Sequence, residues 1–463
     1  MSRVLTILLA VRTSYWFVPS LMALLAIALG AAMVWIDARL ELDWLNSISW
    51  YQTVKAEGAR EVLSTIAGSM ITVAGVVFSI TIVAIAYASS QYGPRILTNY
   101  MSDRGNTIAL GTFIATFVYC LVVLRTIRGG DEGAFVPQLA VLVGLLLALC
   151  SIAVLIYFIH HVPQAIHINH VVAKIGRQLI DTADQRFPQS SGDPPARAPE
   201  TPATSAEAMA AFADPSTARG RLAAVRGDKT GYIQLVDEDR LMECASRNDL
   251  VLRLRYRPGD FVTAGRPLLD AWPAGRVTDD LARTLKEAFS TGSKRTPHGD
   301  MDFLITELVE IATRALSSGV NDPTTAKTCI DWLGAGATTI ASRQVQPARR
   351  LDDAGALRIM AQPDGFGRYL AMCFGQLRQY AAGDAATSLH VLRTLGEVAA
   401  ACPVKSQRTA LVLEGEALAA LCREMLPASL HDRVRRRVAE FKALVEHDET
   451  IDEREAEWLG GNP

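Results

Sequence analysis

Predominantly apolar residues without charge fill four stretches of the first third of the chain, at about 16–36, 63–88, 107–124 and 136–159, and no comparable run follows. About 20 apolar residues cross a 30 Å hydrocarbon layer as a helix, so the pattern predicts four transmembrane helices. Trp16 and Trp35 stand near the two ends of the first run, where indoles favour the headgroup interface. Ala26-Ile27-Ala28 has the small residues of a cleavage site, but the apolar run continues to Ile36. That is too long for a signal peptide and predicts an uncleaved span. The second run carries no charge and exceeds what the bilayer requires, so it is expected to tilt or project. Gly129-Gly130-Asp131-Glu132 makes a short turn that pairs the third and fourth runs antiparallel.

Beyond Ile159-His160-His161-Val162-Pro163 the pattern changes. An amphipathic juxtamembrane helix is predicted at 165–187, completing a transmembrane domain over 1–187. Residues 188–220 are rich in Pro, Ala, Ser and Thr and read as a flexible linker. In 221–275, Gly231–Val236 alternates like a strand. Leu250, Leu252 and Leu254 alternate with Arg253, Arg255 and Arg257, and Pro258-Gly259-Asp260 supplies a turn before Phe261-Val262. That segment predicts a small β-rich module. From 276 to 463 the period is helical. Leu304, Leu308, Ile311 and Ala315 define one face, with Glu307, Glu310 and Arg314 opposite. Asp322-Pro323 starts the next helix, and further helices are expected at 366–382, 385–401, 405–425 and 428–446. The fold class is therefore a membrane α-helical bundle of four transmembrane helices, followed by an α+β cytoplasmic region: a small β-rich module plus an all-α helical bundle.

Charge and cysteine usage narrow the function classes. With 46 Lys and Arg against 48 Asp and Glu, the chain lacks the basic balance of a nucleic-acid binder. Its seven cysteines form no CxxC pair, which argues against a zinc or redox site and for free thiols in a reducing compartment. Counting basic residues near the span ends barely orients the chain. Arg3, Arg12, Arg95, Arg104, Lys174 and Arg177 fall on one side, and Arg39, Lys55, Arg60, Arg125 and Arg128 on the other. The unpaired cysteines and the absence of secretory features place both termini in the cytoplasm.

Six segments carry a resemblance: Ser79-Ile80-Thr81, Ser89-Ser90-Gln91-Tyr92-Gly93-Pro94-Arg95, Ile159-His160-His161, Arg257-Pro258-Gly259-Asp260-Phe261-Val262, Leu308-Val309-Glu310-Ile311-Ala312-Thr313-Arg314-Ala315-Leu316-Ser317 and Asn321-Asp322-Pro323-Thr324-Thr325-Ala326. Through them nearly the whole chain resembles a bacterial family of predicted four-span integral membrane proteins with a large soluble C-terminal domain, catalogued as a domain of unknown function. The resemblance implies the architecture and a bacterial inner-membrane location, and no biochemical activity.

Thr65, Gly68, Thr72, Gly75 and Ser79, continued by Ala86, form a stripe of small and hydroxyl residues on the second span. Such a stripe lets helix backbones approach closely and bond across the contact. Two readings are open: packing inside the four-helix bundle, or a face at a symmetry axis or narrow pore. The spans hold no Asp, Glu, Lys or Arg, which disfavours a proton-coupled transporter. His160, His161, His167 and His170 lack a cysteine or HExxH context and read as interface histidines. The Gly259-Asp260-Phe261-Val262 turn is similar to the half-barrel turn of lipoyl and biotinyl carrier domains. No lysine stands at its tip, so only the hairpin is taken from it. Glu307, Glu310, Arg314, Asn321 and Asp322 are a candidate polar cluster at a helix end, against the plainer reading of a helix pair and a cap. No catalytic, cofactor-binding or metal-ligating set is recognised, so no enzyme activity is expected. The expected function is a homo-oligomeric, channel-like assembly with a cytoplasmic gating or scaffold domain. Its partners are the lipid bilayer and further copies of itself, with no nucleic acid and an unspecified ion or ligand. The alternative is a non-conducting sensor or scaffold that binds a ligand or protein through the soluble domain.

Overall fold

The four apolar runs fold as helices α1 (Phe17–Arg39), α2 (Ala56–Tyr92), α3 (Arg104–Leu124) and α4 (Gln138–Ile166). All four are long and apolar enough to cross a membrane. The structure, a computed structural model, describes residues 16–39, 55–93, 104–129, 135–187, 203–213, 221–296, 300–343, 347–362 and 364–446. The Gly130-Asp131-Glu132 turn tip, linker residues 188–202 and 214–220, and Arg3, Arg12 and Arg95 lie outside them. The chain forms two compact units, Met1–Val171 and Val172–Pro463.

In the first unit α3 is the central helix, packed against α1, α2 and α4. Half of its apolar stretch is buried, whereas the other three helices turn most of theirs outward. The 37 residues of α2 reach about 55 Å at 1.5 Å per residue, well beyond the hydrocarbon thickness. Since lipid tails are as apolar as leucine, close packing and hydrogen bonds must hold the helices together. Thr116 and Ser151 hydroxyls meet at 3.0 Å between α3 and α4, and the Tyr119 hydroxyl donates to the Ala140 carbonyl at 2.9 Å. Asp37, at the end of α1, accepts from the Leu139 and Ala140 N–H groups at 3.1 and 2.9 Å. It thereby caps α4, whose own N-cap, Pro137, supplies no side-chain bond. Paired backbone bonds between Arg128 and Phe135 close the connection between α3 and α4.

The second unit begins with most of α5 (Ile168–Arg186), set off from α4 by an extended His167. Val172, Ile175, Leu179 and Ala183 form its buried face. Leu179 packs over Gly336, and Gly176 lies under the Trp332 ring. Asp184 pairs with Arg343 at 2.6 Å. Most of the juxtamembrane helix thus packs within the second compact unit, which begins at Val172. The expected linker also holds a helix, α6 (Ala203–Ala213). Its Ala208 and Phe212 pack on Val251 and Leu357, and its Phe212 carbonyl accepts from Arg253 at 2.7 Å. Ala208 and Phe212 stand one turn apart, so the segment carries a short apolar face at helical spacing despite its linker-like composition.

The β module comprises β1 (Ala223–Arg226), β2 (Gly231–Val236), α7 (Glu238–Arg247), β3 (Val251–Leu254), β4 (Phe261–Val262), β5 (Pro267–Trp272), α8 (Asp279–Glu287) and β6 (Phe289–Gly292). It is completed by β7 (Arg349–Leu351) and β8 (Leu357–Met360), supplied from beyond α9 (Met301–Ala315) and α10 (Pro323–Ala341). One sheet runs β1-β5-β3-β8-β7 and a second β4-β2-β6, with β3 and β8 the one parallel pair among them. The module therefore does not close at 275. Sandwiched apolar side chains including Ile233, Leu241, Leu252, Leu269, Leu285 and Ile359 form its core.

The expected helix at 366–382 is broken into α11 (Phe366–Leu370), a π-helical stretch over Ala371–Gly375, and α12 (Leu377–Ala381). The bundle continues with α13 (Ala385–Ala400), α14 (Lys405–Met425) and α15 (Ala428–Glu446). Here α10 packs on α9 and α13, and α13 on α14 and α15.

Candidate functional site

The α2 helix buries Leu63, Ala67, Met70, Ala74, Val77, Thr81, Ala84 and Ala88 against the bundle. Thr65, Gly68, Thr72, Gly75 and Ser79 are all exposed. At about 100° per residue their stripe points directly away from the buried face. A Cβ on Gly68 or Gly75 would meet nothing within 4 Å. Thr72 donates to the Gly68 carbonyl at 2.8 Å and Ser79 to the Gly75 carbonyl at 2.9 Å, so both hydroxyls turn back onto their own helix. Packing inside the bundle, the first of the two sequence readings, is thus not what the stripe does within one chain. The outward surface of α4 is different in kind: Leu145, Leu146, Leu149, Ile152, Ile156 and Ile159 present bulky hydrocarbon, as a lipid-facing surface would.

Sequence reading missed a polar residue in the bundle. Asn106, near the start of α3, is 1% exposed, and among the described residues neither its Nδ2 nor its Oδ1 has a hydrogen-bond partner. Beside it α3 meets the end of α4 closely, since a Cβ on Gly105 would lie 2.8 Å from His161 Nε2 and 3.0 Å from the Tyr157 hydroxyl. Those two rings stack at 5.1 Å, and His160 Nε2 lies 2.9 Å from Gln164 Nε2. Burying an amide unmet costs about 1–3 kcal/mol, so Asn106→Leu is expected to raise the thermal stability of the detergent-solubilised protein. A fall in stability would show that the amide is engaged when the protein is in its membrane assembly.

The second candidate set spans α9 and the start of α10. Asp322 caps α10, accepting from the Thr325 N–H at 3.1 Å and its hydroxyl at 2.5 Å. Asn321 takes the left-handed conformation that the turn needs, with φ of 49°. Glu307 is 2% exposed among the apolar residues of α9 rather than on an outer face, while Glu310 and Arg314 are half-buried. The α9 helix is buried nearly all round, so the two-sided pattern read from Glu307 does not hold. The Thr325 hydroxyl, then the Thr325 and Thr324 N–H groups, holds the Asp322 carboxyl below its ordinary pKa. A depressed carboxyl contributes stability that is present above its unfolded value near 4 and is lost as pH falls through the lower folded value. Asp322→Asn keeps a capping oxygen without a titrating one. Between pH 5 and 3 it should lose about 0.5–1 kcal/mol less stability than the parent, read as chemical-denaturation midpoints from tryptophan fluorescence.

Four apolar helices that together make a bundle, followed by a unit of two small sheets and many helices, define a polytopic membrane protein. The chain belongs to the family described as "Predicted membrane protein (DUF2254)", whose model matches residues 12–397. It is 34% identical over 358 residues to the uncharacterized protein Mb1321c of Mycobacterium bovis and, equally, to the uncharacterized protein Rv1290c of Mycobacterium tuberculosis. The match covers 76% of this chain and 66% of each relative, so the chain spans just under two thirds of their length. No solved structure matches it.

Proposed function

We propose that the protein is a homo-oligomeric, channel-like assembly of the bacterial inner membrane, with the α2 stripe at or beside the symmetry axis. The observation that carries this reading is the direction of the stripe. Thr65, Gly68, Thr72, Gly75 and Ser79 lie opposite the bundle-facing side of α2, in open space. Small and hydroxyl residues give lipid little to pack on but let a second helix approach closely, and identical subunits usually close into symmetric rings. Both termini and the soluble unit are assigned to the cytoplasm, where that unit gates or scaffolds the assembly. All seven cysteines are free, and burial pushes the Cys373 thiol up to about 12, in keeping with a reducing compartment. No catalytic role is assigned.

Single cysteines in a cysteine-free background test the arrangement. Thr72→Cys and Ser79→Cys are expected to crosslink between subunits, and Leu149→Cys, on the outward face of α4, is expected not to. Equal crosslinking at all three positions, or a monomeric mass in mild detergent, would remove the axial placement. Single-channel recording in planar bilayers then separates a conducting assembly from the second reading, a non-conducting sensor or scaffold. What favours that second reading is the size of the soluble unit, which spans Val172–Pro463 and has a core of its own.

A further inference from the structure

An open groove runs between α14 and α15. It measures about 370 Å³, within the range of volumes that take up a ligand or a large side chain. Ala419, Val434 and Val438, with the edge of Cys422, make an apolar floor. Charged side chains stand at the rim: Glu416 and Arg423 from α14, Arg435 and Lys442 from α15. Lys442 pairs with Glu416 at one end. At the other, Arg435 meets Asp432 with both side chains out in water, where an ion pair holds weakly and exchanges readily. Arg423 is exposed and has no ion-pair partner among the described residues.

Such a groove suits a peptide that carries apolar side chains and an excess of carboxylates. Residues 447–463, which follow α15 and lie outside the described residues, have that composition. They hold six Asp and Glu against a single Arg, together with Ile451, Trp458 and Leu459. The α14–α15 hairpin, over 405–446, has the opposite balance, with eight Lys and Arg against six Asp and Glu. The reach is sufficient. From Glu446 back to Val438 is eight residues, about 12 Å along the helix. The five residues from Glu446 to Ile451 span up to about 17 Å, so Ile451 returns to Val438 with chain to spare for a turn. Trp458, further along, then has the length to reach the end of the groove at Arg423 and His431. Tethering also favours this occupant, because a short linker presents it at an effective concentration of about millimolar. The family model ends at residue 397, so the groove and the acidic segment both lie beyond it.

We infer that the groove between α14 and α15 is the docking site of the chain's own acidic segment, residues 448–459. Ile451 and Trp458 lie on the apolar floor, and the carboxylates that precede Trp458 face Arg423 and Arg435. The contact closes the groove within one chain, and because its charges are at the rim it weakens as salt is added. It is independent of whether the membrane unit conducts.

The test uses the full-length protein in a neutral detergent at pH 7. In a cysteine-free background, Leu459→Cys is combined with Ala419→Cys in the groove, or with Leu413→Cys, 59% exposed on another face of α14. Mild oxidation and peptide mass mapping then report the disulfide. Within one chain the 419–459 link is expected to form at least tenfold faster than the 413–459 link. Adding Arg423→Glu, or raising the salt to 0.5 M, should slow it at least threefold. A second measurement keeps all the native cysteines and follows trypsin cleavage after Arg454. Arg423→Glu should speed that cleavage at least threefold, and Arg433→Glu, exposed on α15 and outside the groove lining, should not. Equal disulfide rates from positions 413 and 419, or equal trypsin effects of the two arginine variants, overturn the proposal. So does a 419–459 link that forms only between chains, which would assign the groove to the segment of a second copy.

Discussion

Gly176→Leu is expected to destabilise the second unit by about 1–3 kcal/mol or more, the range for forcing extra carbons into a packed interior. Even the first added atom has no room: a Cβ at Gly176 would fall 2.3 Å from two atoms of the Trp332 ring. That ring is not at a loose surface. Gly176 stands on α5 one turn before Leu179, which packs over Gly336, one turn after Trp332 on α10. The two helices therefore interlock twice, each lending a glycine to the other's large side chain. Moving the indole aside disturbs both contacts, so the loss should exceed the roughly 1 kcal/mol that a non-glycine residue gains in helix propensity. For a unit of this size each kcal/mol lowers the unfolding temperature by about 2–4 °C. Gly319→Ala, where a Cβ meets nothing within 4 Å, is the control and should change little. Adding Trp332→Ala to Gly176→Leu should recover part of the loss by making space. If the double variant is merely the sum of two defects, the clash is not the cause and α5 is held by other contacts.

This docking also shows where the sequence was readable and where it was not. The four apolar runs were legible because a bilayer demands about 20 consecutive apolar residues, a strong local signal that neighbours cannot override. The Gly231–Val236 strand and the Leu250, Leu252, Leu254 alternation were legible for the similar reason that a half-buried strand has a period of two. What escaped depends on pairing over distance. β8 joins β3 in parallel, with Leu252 beside Ile359, across more than a hundred residues. Nothing local to Leu357–Met360 announces that partner. Amphipathicity revealed α5 as a helix but not which unit its apolar face would enter. The α2 stripe was legible as composition, yet whether it faces inward or outward rests on which residues α3 covers. Asp37 and Asn106 were overlooked because each sits at the margin of an apolar run, where a polar residue reads as an end rather than as a contact.

Asp270→Asn should be among the most damaging single-atom changes in the β module, costing about 2–4 kcal/mol, a little under the usual loss on breaking a buried ion pair because its arginine partners are partly exposed. Asp270 lies on β5, between β1 and β3, and is only 3% exposed. Its carboxylate accepts from Arg253 Nε and Nη2 at 3.0 and 2.7 Å. It also accepts from Arg255 Nε and Nη2 at 2.8 and 3.0 Å. One negative charge thus holds two adjacent guanidinium groups that repel each other. Arg253 also donates to the Phe212 carbonyl and lies 5.0 Å over the Phe212 ring, so the same carboxylate positions the arginine that fastens α6 to the sheet. An asparagine at 270 keeps the shape but offers one acceptor oxygen and two unwanted donors. The like charges are then left uncompensated. Arg255→Gln alone should cost much less, about 1 kcal/mol or under, because Arg255 is the more exposed partner and Arg253 remains paired. Because the acceptor is buried, the Asp270→Asn loss should change little between 0.05 and 0.5 M salt, within a few tenths of a kcal/mol. Denaturant midpoints at the two salt concentrations provide the measurement, and protease cleavage near residues 203–213 should accelerate in the same variant. A loss below about 1 kcal/mol, or one that vanishes in high salt, would mean that Asp270 acts only as a surface charge and that α6 is held to the sheet without it.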